Sequence, residues 1–325
     1  MNSSQGSQEA VGLNQGSRFK DYLRGFLDPY EKDLKLRGLT KSSQIDILGC
    51  LRRYLIWAAE RGMDPRNAKR DDLLTYLGDL RARQLKQCSL VNNFSSLSGW
   101  FAFLTEQEEI VQNPVPAIQK RYLNAYKDET RQRQMISVED AAKMVRATID
   151  SRDRAILLLL FKTGIRRGEI ATLDLDNVNL EKQYLILKPT GKRSNRMVFF
   201  DDEAARALAR WIKASEKRLR KKGEKALFMN NHGKRLSGGG INTVVREAAI
   251  RVGLHEHESD RLEDKFTPHC CRHWLVTHLL RAGMPRDQVK WIRGDVMHEA
   301  IDLYNHIDPE DVKRNYLACI PKFGV

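Results

Sequence analysis

The chain has 325 residues, 41% hydrophobic and 30% charged, which suffices for two domains with their own cores and describes an ordinary soluble protein. The formal net charge is +14, a balance that suits a polyanionic partner, most often nucleic acid. Five cysteines at irregular spacing argue against a disulfide framework and predict reduced thiols in an intracellular, cytoplasmic protein. No apolar run approaches membrane-spanning length, so no membrane partner is expected; Ala155–Phe161 is the longest and reads as core helix.

Residues 1–18 are rich in Ser, Gln, Gly and Asn, lack the regions of a signal peptide and predict a disordered tail. Order is expected to begin near Phe19, with Pro29 interrupting the first helix. Thr40 is placed to cap a long helix with Ile47, Leu51, Tyr54, Leu55 and Ala58 on its apolar side, ending at Gly62. Asp71–Leu85 and Ser89–Leu104 read as two further helices. Residues 19–122 therefore predict an all-α domain. Its polar faces carry Lys41, Arg52, Arg53, Lys69, Arg70, Arg81, Arg83 and Lys86, which could hold DNA phosphates or simply face solvent.

Residues 123–136 are polar and follow an extended Asn113-Pro-Val-Pro116, as a linker would. The second domain, 137–325, opens with a cap at Ser137 and a strongly apolar helix from Arg152 to Lys162 closed by Gly164. Arg167–Leu173 is a short helix. Tyr184–Leu187 and Met197–Phe200 predict two strands across a turn at 189–195, and Leu227–Met229 a further short one. Helices follow from Asp201 toward Lys222 and from Ile241 to Val252, with Gly238–Gly240 as a turn before the latter. Arg206–Lys225 holds nine basic residues against two Glu, either lying along DNA or solvated. The fold class is an α-rich two-domain protein, the second domain mainly α with a small antiparallel sheet.

The chemistry concentrates between Thr267 and Tyr304. Thr267-Pro268 is a good helix start, and His269 and Arg272 share a face one turn apart. A second short helix is expected from Pro285 to Gly294. A histidine, an arginine and a downstream tyrosine make sense around a phosphodiester. Cutting one without metal needs a nucleophile, donors for the non-bridging oxygens and an acid for the departing oxygen. Arginine suits the oxygens because its planar fork binds two at once, and lysine can serve as the acid. Arg166 stands at a tight junction in Thr163-Gly-Ile-Arg-Arg-Gly-Glu169, with Arg167 as its rival, and Glu169 either orients it or faces solvent. Lys192 sits in the hairpin turn, near Lys188, Arg193 and Arg196. Tyr304 has a rival in Tyr316, while Tyr184, His273 and His278 read as structural. His269, Cys270, Cys271 and His273 could suggest zinc, but adjacent helical cysteines point about 100° apart and match no usual zinc spacing.

Together these stretches resemble the tyrosine recombinases, the broad family of phage-type integrases and Xer-type recombinases. The resemblance rests on Thr163-Gly-x-Arg-x-x-Glu169, on His269-x-x-Arg272 followed by Thr277-His-Leu-Leu-x-Ala-Gly283, and on Asp302-x-Tyr304, in that order. It covers about residues 19–320 and implies a helical (SAM-like) core-binding domain and a catalytic domain of the DNA breaking-rejoining fold. Tyr304 would form a 3′-phosphotyrosyl link, Arg166 and Arg272 would hold the scissile phosphate, Lys192 would be the general acid and His269 would assist proton transfer. No cofactor or metal is implied. The implied partner is double-stranded DNA with inverted-repeat sites, bound by a homotetramer. The chain departs from the usual Gly-His or Gly-Trp at Gly294-Asp295, which with Glu299–Asp308 looks like archaeal integrases. Asp295 is expected to accept a hydrogen bond from Arg272 or His269; the rival role is to cap the helix carrying Tyr304. Two alternatives keep the fold: a DNA-binding regulator that does not cut, and a topoisomerase-like relaxing enzyme of type IB. Residues 309–325 carry Val312, Tyr316, Leu317 and Ile320 at helical spacing, a face for a neighbouring copy or for the chain's own domain.

Overall fold

A computed structural model describes residues 5–124, 134–189, 195–218, 223–259, 261, 263–294 and 307–325, with side chains from residue 18 onward. The chain divides into a unit ending at Thr130 and another beginning at Arg131.

The first unit is all helix: α1 (Gln5–Leu36), α2 (Lys41–Ala59), α3 (Arg70–Ala82), α4 (Gln87–Glu106) and the short α5 (Val115–Ile118). The α1 backbone begins at Gln5, inside the stretch expected to be a tail, because no proline or cap stops the helix between there and Phe19. Pro29 does not interrupt α1 either; burial of Leu27, Tyr30 and Leu34 on one side outweighs its missing N–H. Thr40 caps α2 by accepting from the Ser43 N–H, and Gly62 turns the chain beyond its end with φ 64°. The core is aromatic. The Tyr54 ring lies among Trp57, Tyr76, Trp100 and Phe101, and its hydroxyl donates to the Pro65 carbonyl at 2.9 Å.

The second unit contains α6 (Val138–Arg146), α7 (Ser151–Thr163), α8 (Arg167–Thr172), β1 (Val178–Asn179), β2 (Tyr184–Ile186), β3 (Met197–Phe199), α9 (Asp202–Arg218), α10 (Gly238–Arg251), α11 (Pro268–Arg281), α12 (Arg286–Arg293) and α13 (Pro309–Cys319). Every residue of α7 from Ala155 to Thr163 is buried, so α7 is the axis on which α9, α10 and α11 pack. The sheet is antiparallel in the order β1-β2-β3, with Leu185 opposite Val178 on one side and Val198 on the other. The expected fold class is therefore the observed one.

Several local expectations are corrected. β1 escaped notice because two residues carry no alternation. Leu227–Met229 is no strand; its neighbourhood makes isolated bridges, Asp174 with Ala226 and Met229 with Arg235. Gly238–Gly240 is the first turn of α10 rather than a turn before it, because the Ser237 side chain caps the Gly240 N–H at 3.2 Å. The apolar side of α13 is used by the chain itself: Val312, Tyr316 and Ile320 are buried in the second unit's core. Among the described residues, no helix is long and apolar enough to cross a membrane.

Candidate active site

Arg166 is the N-cap residue of α8, and α8 starts where α7 has just ended. Gly164 makes that junction possible, with φ 60° and its N–H bonded to the Leu160 carbonyl. Glu169 braces the turn. Its carboxylate accepts the Arg166 backbone N–H at 2.6 Å and the Arg166 Nη1 at 3.2 Å. Glu169 is buried, so of its two readings the orienting one holds, while Arg166 stays half-exposed above it. Arg167, the rival, is exposed as the first residue of α8.

Arg272 is buried on α11, 7% exposed, and its direction is set by two carbonyls. Nη1 donates to Gly164 O at 2.8 Å and Nη2 to Arg293 O at 2.6 Å. Both acceptors lie at helix ends, one on the left-handed Gly164 that closes α7, the other just before the left-handed Gly294 that closes α12. Helix C-termini are partially negative, so they suit a cation. Arg272 thus joins α7, α11 and α12. The bond to Gly164 brings the two predicted arginine boxes together, since Gly164 is two residues before Arg166.

His269 is exposed one turn before Arg272. His278 packs against Trp274, ring centroids 4.4 Å apart and tilted by 44°, and burial, then the nearby Arg281, lowers its imidazole below the ordinary value. The thiols do not converge on His269. Cys270 lies under the Thr267 cap, which donates its N–H to the sulfur at 3.4 Å, and Cys271 is fully buried. Among the described residues no group of three His, Cys, Asp or Glu could hold a metal.

Lys192, Asp295 and Tyr304 lie outside the described residues. So does Arg193, whereas Lys188 and Tyr316 are described. Lys188, at the base of the hairpin, is paired to Asp174 at 2.7 Å, where Arg235 binds too. Burial raises the Asp174 carboxyl, but the hydrogen bonds from Lys188 and Arg235 outweigh it and hold it below the usual range. Tyr316 is fully buried; its hydroxyl donates to the Lys162 carbonyl at 2.8 Å, and burial pushes its pKa well above the ordinary value. A phenol so placed cannot reach a phosphate. In the first unit, Lys41, Arg52, Arg53, Lys69, Arg83 and Lys86 are exposed. Arg70 and Arg81 are exposed too and bind Tyr122, on its hydroxyl at 2.9 Å and its carbonyl at 3.1 Å.

Sequence reasoning missed Lys162, Asp201 and Glu203, a buried ionic cluster behind Gly164. Its signal was one lysine at the end of the apolar run of α7.

The Gly164 junction carries a prediction. A Cβ there would lie 2.8 Å from Leu275 Cδ2, on a backbone that disfavours side chains. Gly164→Ala should cost roughly 1–3 kcal/mol, read as a lower urea midpoint at unchanged slope. An unchanged midpoint would mean that the junction is not strained.

Two arginines thus meet the α7–α8 junction, Arg166 braced by a buried carboxylate and Arg272 by two carbonyls. The phage integrase family matches residues 129–311. The chain belongs to that family, the tyrosine recombinases. It is 28% identical to tyrosine recombinase XerC of Pelotomaculum thermopropionicum over 76% of this chain and 79% of the relative. It is 26% identical to tyrosine recombinase XerD of Chlorobaculum tepidum over 92% and 96%. Among solved structures, a Tn1549 transposon integrase in complex with transposon right end DNA has a TM-score of 0.64 at 19% identity, over 89% of this chain and 97% of that one. A lambda integrase dimer bound to a COC′ core site has a TM-score of 0.63 at 19% identity, over 88% and 98%. These two share its fold.

Proposed function

We propose that the chain is a site-specific recombinase that cuts and rejoins double-stranded DNA through a 3′-phosphotyrosyl intermediate at Tyr304. Arg272 carries the reading: a buried guanidinium aimed by two helix-end carbonyls is preorganised for charge on phosphate oxygens. Arg166, braced by Glu169, supplies the second cation. Lys192 protonates the leaving 5′-oxygen and His269 assists. Bond energy is kept in the phosphotyrosyl link, so rejoining needs no ATP. The Arg293 carbonyl on Arg272 brings the chain two residues before Asp295 beside that guanidinium, which supports Asp295 as its orienting acceptor. The partner is DNA with inverted-repeat sites. One strand cut per active site requires four protomers to exchange two duplexes, hence a homotetramer on DNA.

The test uses a supercoiled plasmid with two candidate sites. Recombinant circles are expected; relaxation without exchange would make the protein a relaxing enzyme, and binding without cutting a regulator. Lys192→Ala should cut ordinary DNA poorly and recover on DNA with sulfur at the 5′-bridging position, a leaving group that needs no proton. Stronger rescue for Lys188→Ala would move the acid to Lys188, against its pairing with Asp174.

A further inference from the structure

Lys162 is fully buried near the end of α7, two residues before Gly164. Its ammonium contacts Asp201 at 2.9 Å and Glu203 at 2.6 Å, and donates to the Pro321 carbonyl at 2.5 Å. Glu203 faces the same segment. Its carboxylate accepts backbone N–H groups of Phe323 at 3.0 Å, Gly324 at 2.6 Å and Val325 at 3.2 Å. Arg146 holds the Phe323 carbonyl at 3.1 Å. Residues 321–325 are thus gripped through their backbone by buried charge.

That grip places one side chain. The Phe323 ring lies 4.2 Å from the Lys162 ammonium, 5.6 Å from the Phe161 ring on α7 and 5.4 Å from the Trp274 ring on α11. Phe161 is three residues before Gly164, and Trp274 is two after Arg272. The Phe323 wedge and the bond from Arg272 to the Gly164 carbonyl therefore join the same two helices. Moving α7 against α11 would lengthen that bond and turn the guanidinium.

We infer that Phe323 is a positioning residue for the active site: clasped by Lys162 and Glu203, it sets the separation of α7 and α11 and with it the aim of Arg272. This rests on the recombinase reading. The wedge touches no phosphate and acts through the arginine, so its loss should resemble a misaimed arginine. A misplacement of about 1 Å in such a site can cost about a hundred-fold.

The test is single-turnover adduct formation on nicked suicide DNA, with Phe323→Ala and Phe323→Leu beside the unaltered chain. Phe323→Ala should slow adduct formation about ten- to a hundred-fold while DNA binding changes less than about two-fold. Phe323→Leu, which refills most of the volume, should recover most of the rate. A second substrate carries a methyl group in place of one non-bridging oxygen, so the charge that the arginines neutralise is gone. On it the Phe323→Ala defect should shrink to less than about three-fold, as should that of Arg272→Ala. An equal Phe323→Ala defect on both substrates, or none on the ordinary phosphodiester, overturns the positioning role while adduct from the unaltered chain keeps the recombinase reading. No adduct from the unaltered chain on either DNA overturns both.

Discussion

Tyr304→Phe should abolish the covalent protein–DNA adduct, whereas Tyr316→Phe should keep it. The first change removes one oxygen and should leave folding and DNA binding nearly intact. The second removes a hydroxyl that has another task. Tyr316 sits fully buried with its O–H on the Lys162 carbonyl, and burial raises its pKa, so little phenolate forms and none of it meets solvent. Tyr316→Phe should therefore cost about 1 kcal/mol of stability through that lost hydrogen bond, seen as a small drop in melting temperature. Adduct of normal yield from Tyr304→Phe would remove Tyr304 from the chemistry.

Arg272→Ala should slow cleavage by at least about 10²–10³, roughly 2.7–4 kcal/mol of lost transition-state stabilisation. The effect has two parts. The phosphate loses its donor, and the carbonyls of Gly164 and Arg293 lose the group that ties α7 to α12 through α11. Arg272→Lys separates them. A lysine keeps the charge but lacks the planar fork that reaches two carbonyls and a phosphate together, so it should recover little of the rate. Arg166→Ala should act on cleavage in the same direction with a smaller effect on stability, because Arg166 is half-exposed. DNA binding should survive in all three, because protein–DNA interfaces spread their contacts over many phosphates and one arginine is a small share of them. Wild-type cleavage by Arg272→Ala would take the arginine out of the site.

Much of this site could be read from the chain alone. Caps and stops are local chemistry: Thr40, Ser137, Thr267, Gly164 and Gly294 act within a few residues of themselves, so the helices they bound were legible. The order of Arg166, His269 and Arg272 was legible because each box lies within one or two helical turns. What stayed hidden depends on contacts between distant residues. Nothing local says that the Arg272 guanidinium will find Gly164 O and Arg293 O, over sequence separations of 108 and 21 residues. The Lys162 cluster is longer still, with Pro321 159 residues away. Three glycines at 238–240 read as a turn because glycine is costly in a helix; the Ser237 cap offsets that cost at the first turn, where the helix tolerates it best. The two-residue β1 has no periodicity to read, and pairing with β2 alone defines it.

The most direct measurement of the central claim maps the covalent link. Protein trapped on nicked suicide DNA in EDTA is digested with trypsin, and the nucleotide-bearing peptide is identified by mass. Trypsin yields Gly294–Lys313 as one peptide, in which Tyr304 is the sole tyrosine, while Tyr316 falls in Asn315–Lys322. The expected result is the nucleotide on Gly294–Lys313, joined through a 3′-phosphate, with a free 5′-hydroxyl on the other DNA end. A nucleotide on Asn315–Lys322, a link through a 5′-phosphate, or DNA cut with no protein attached would contradict it.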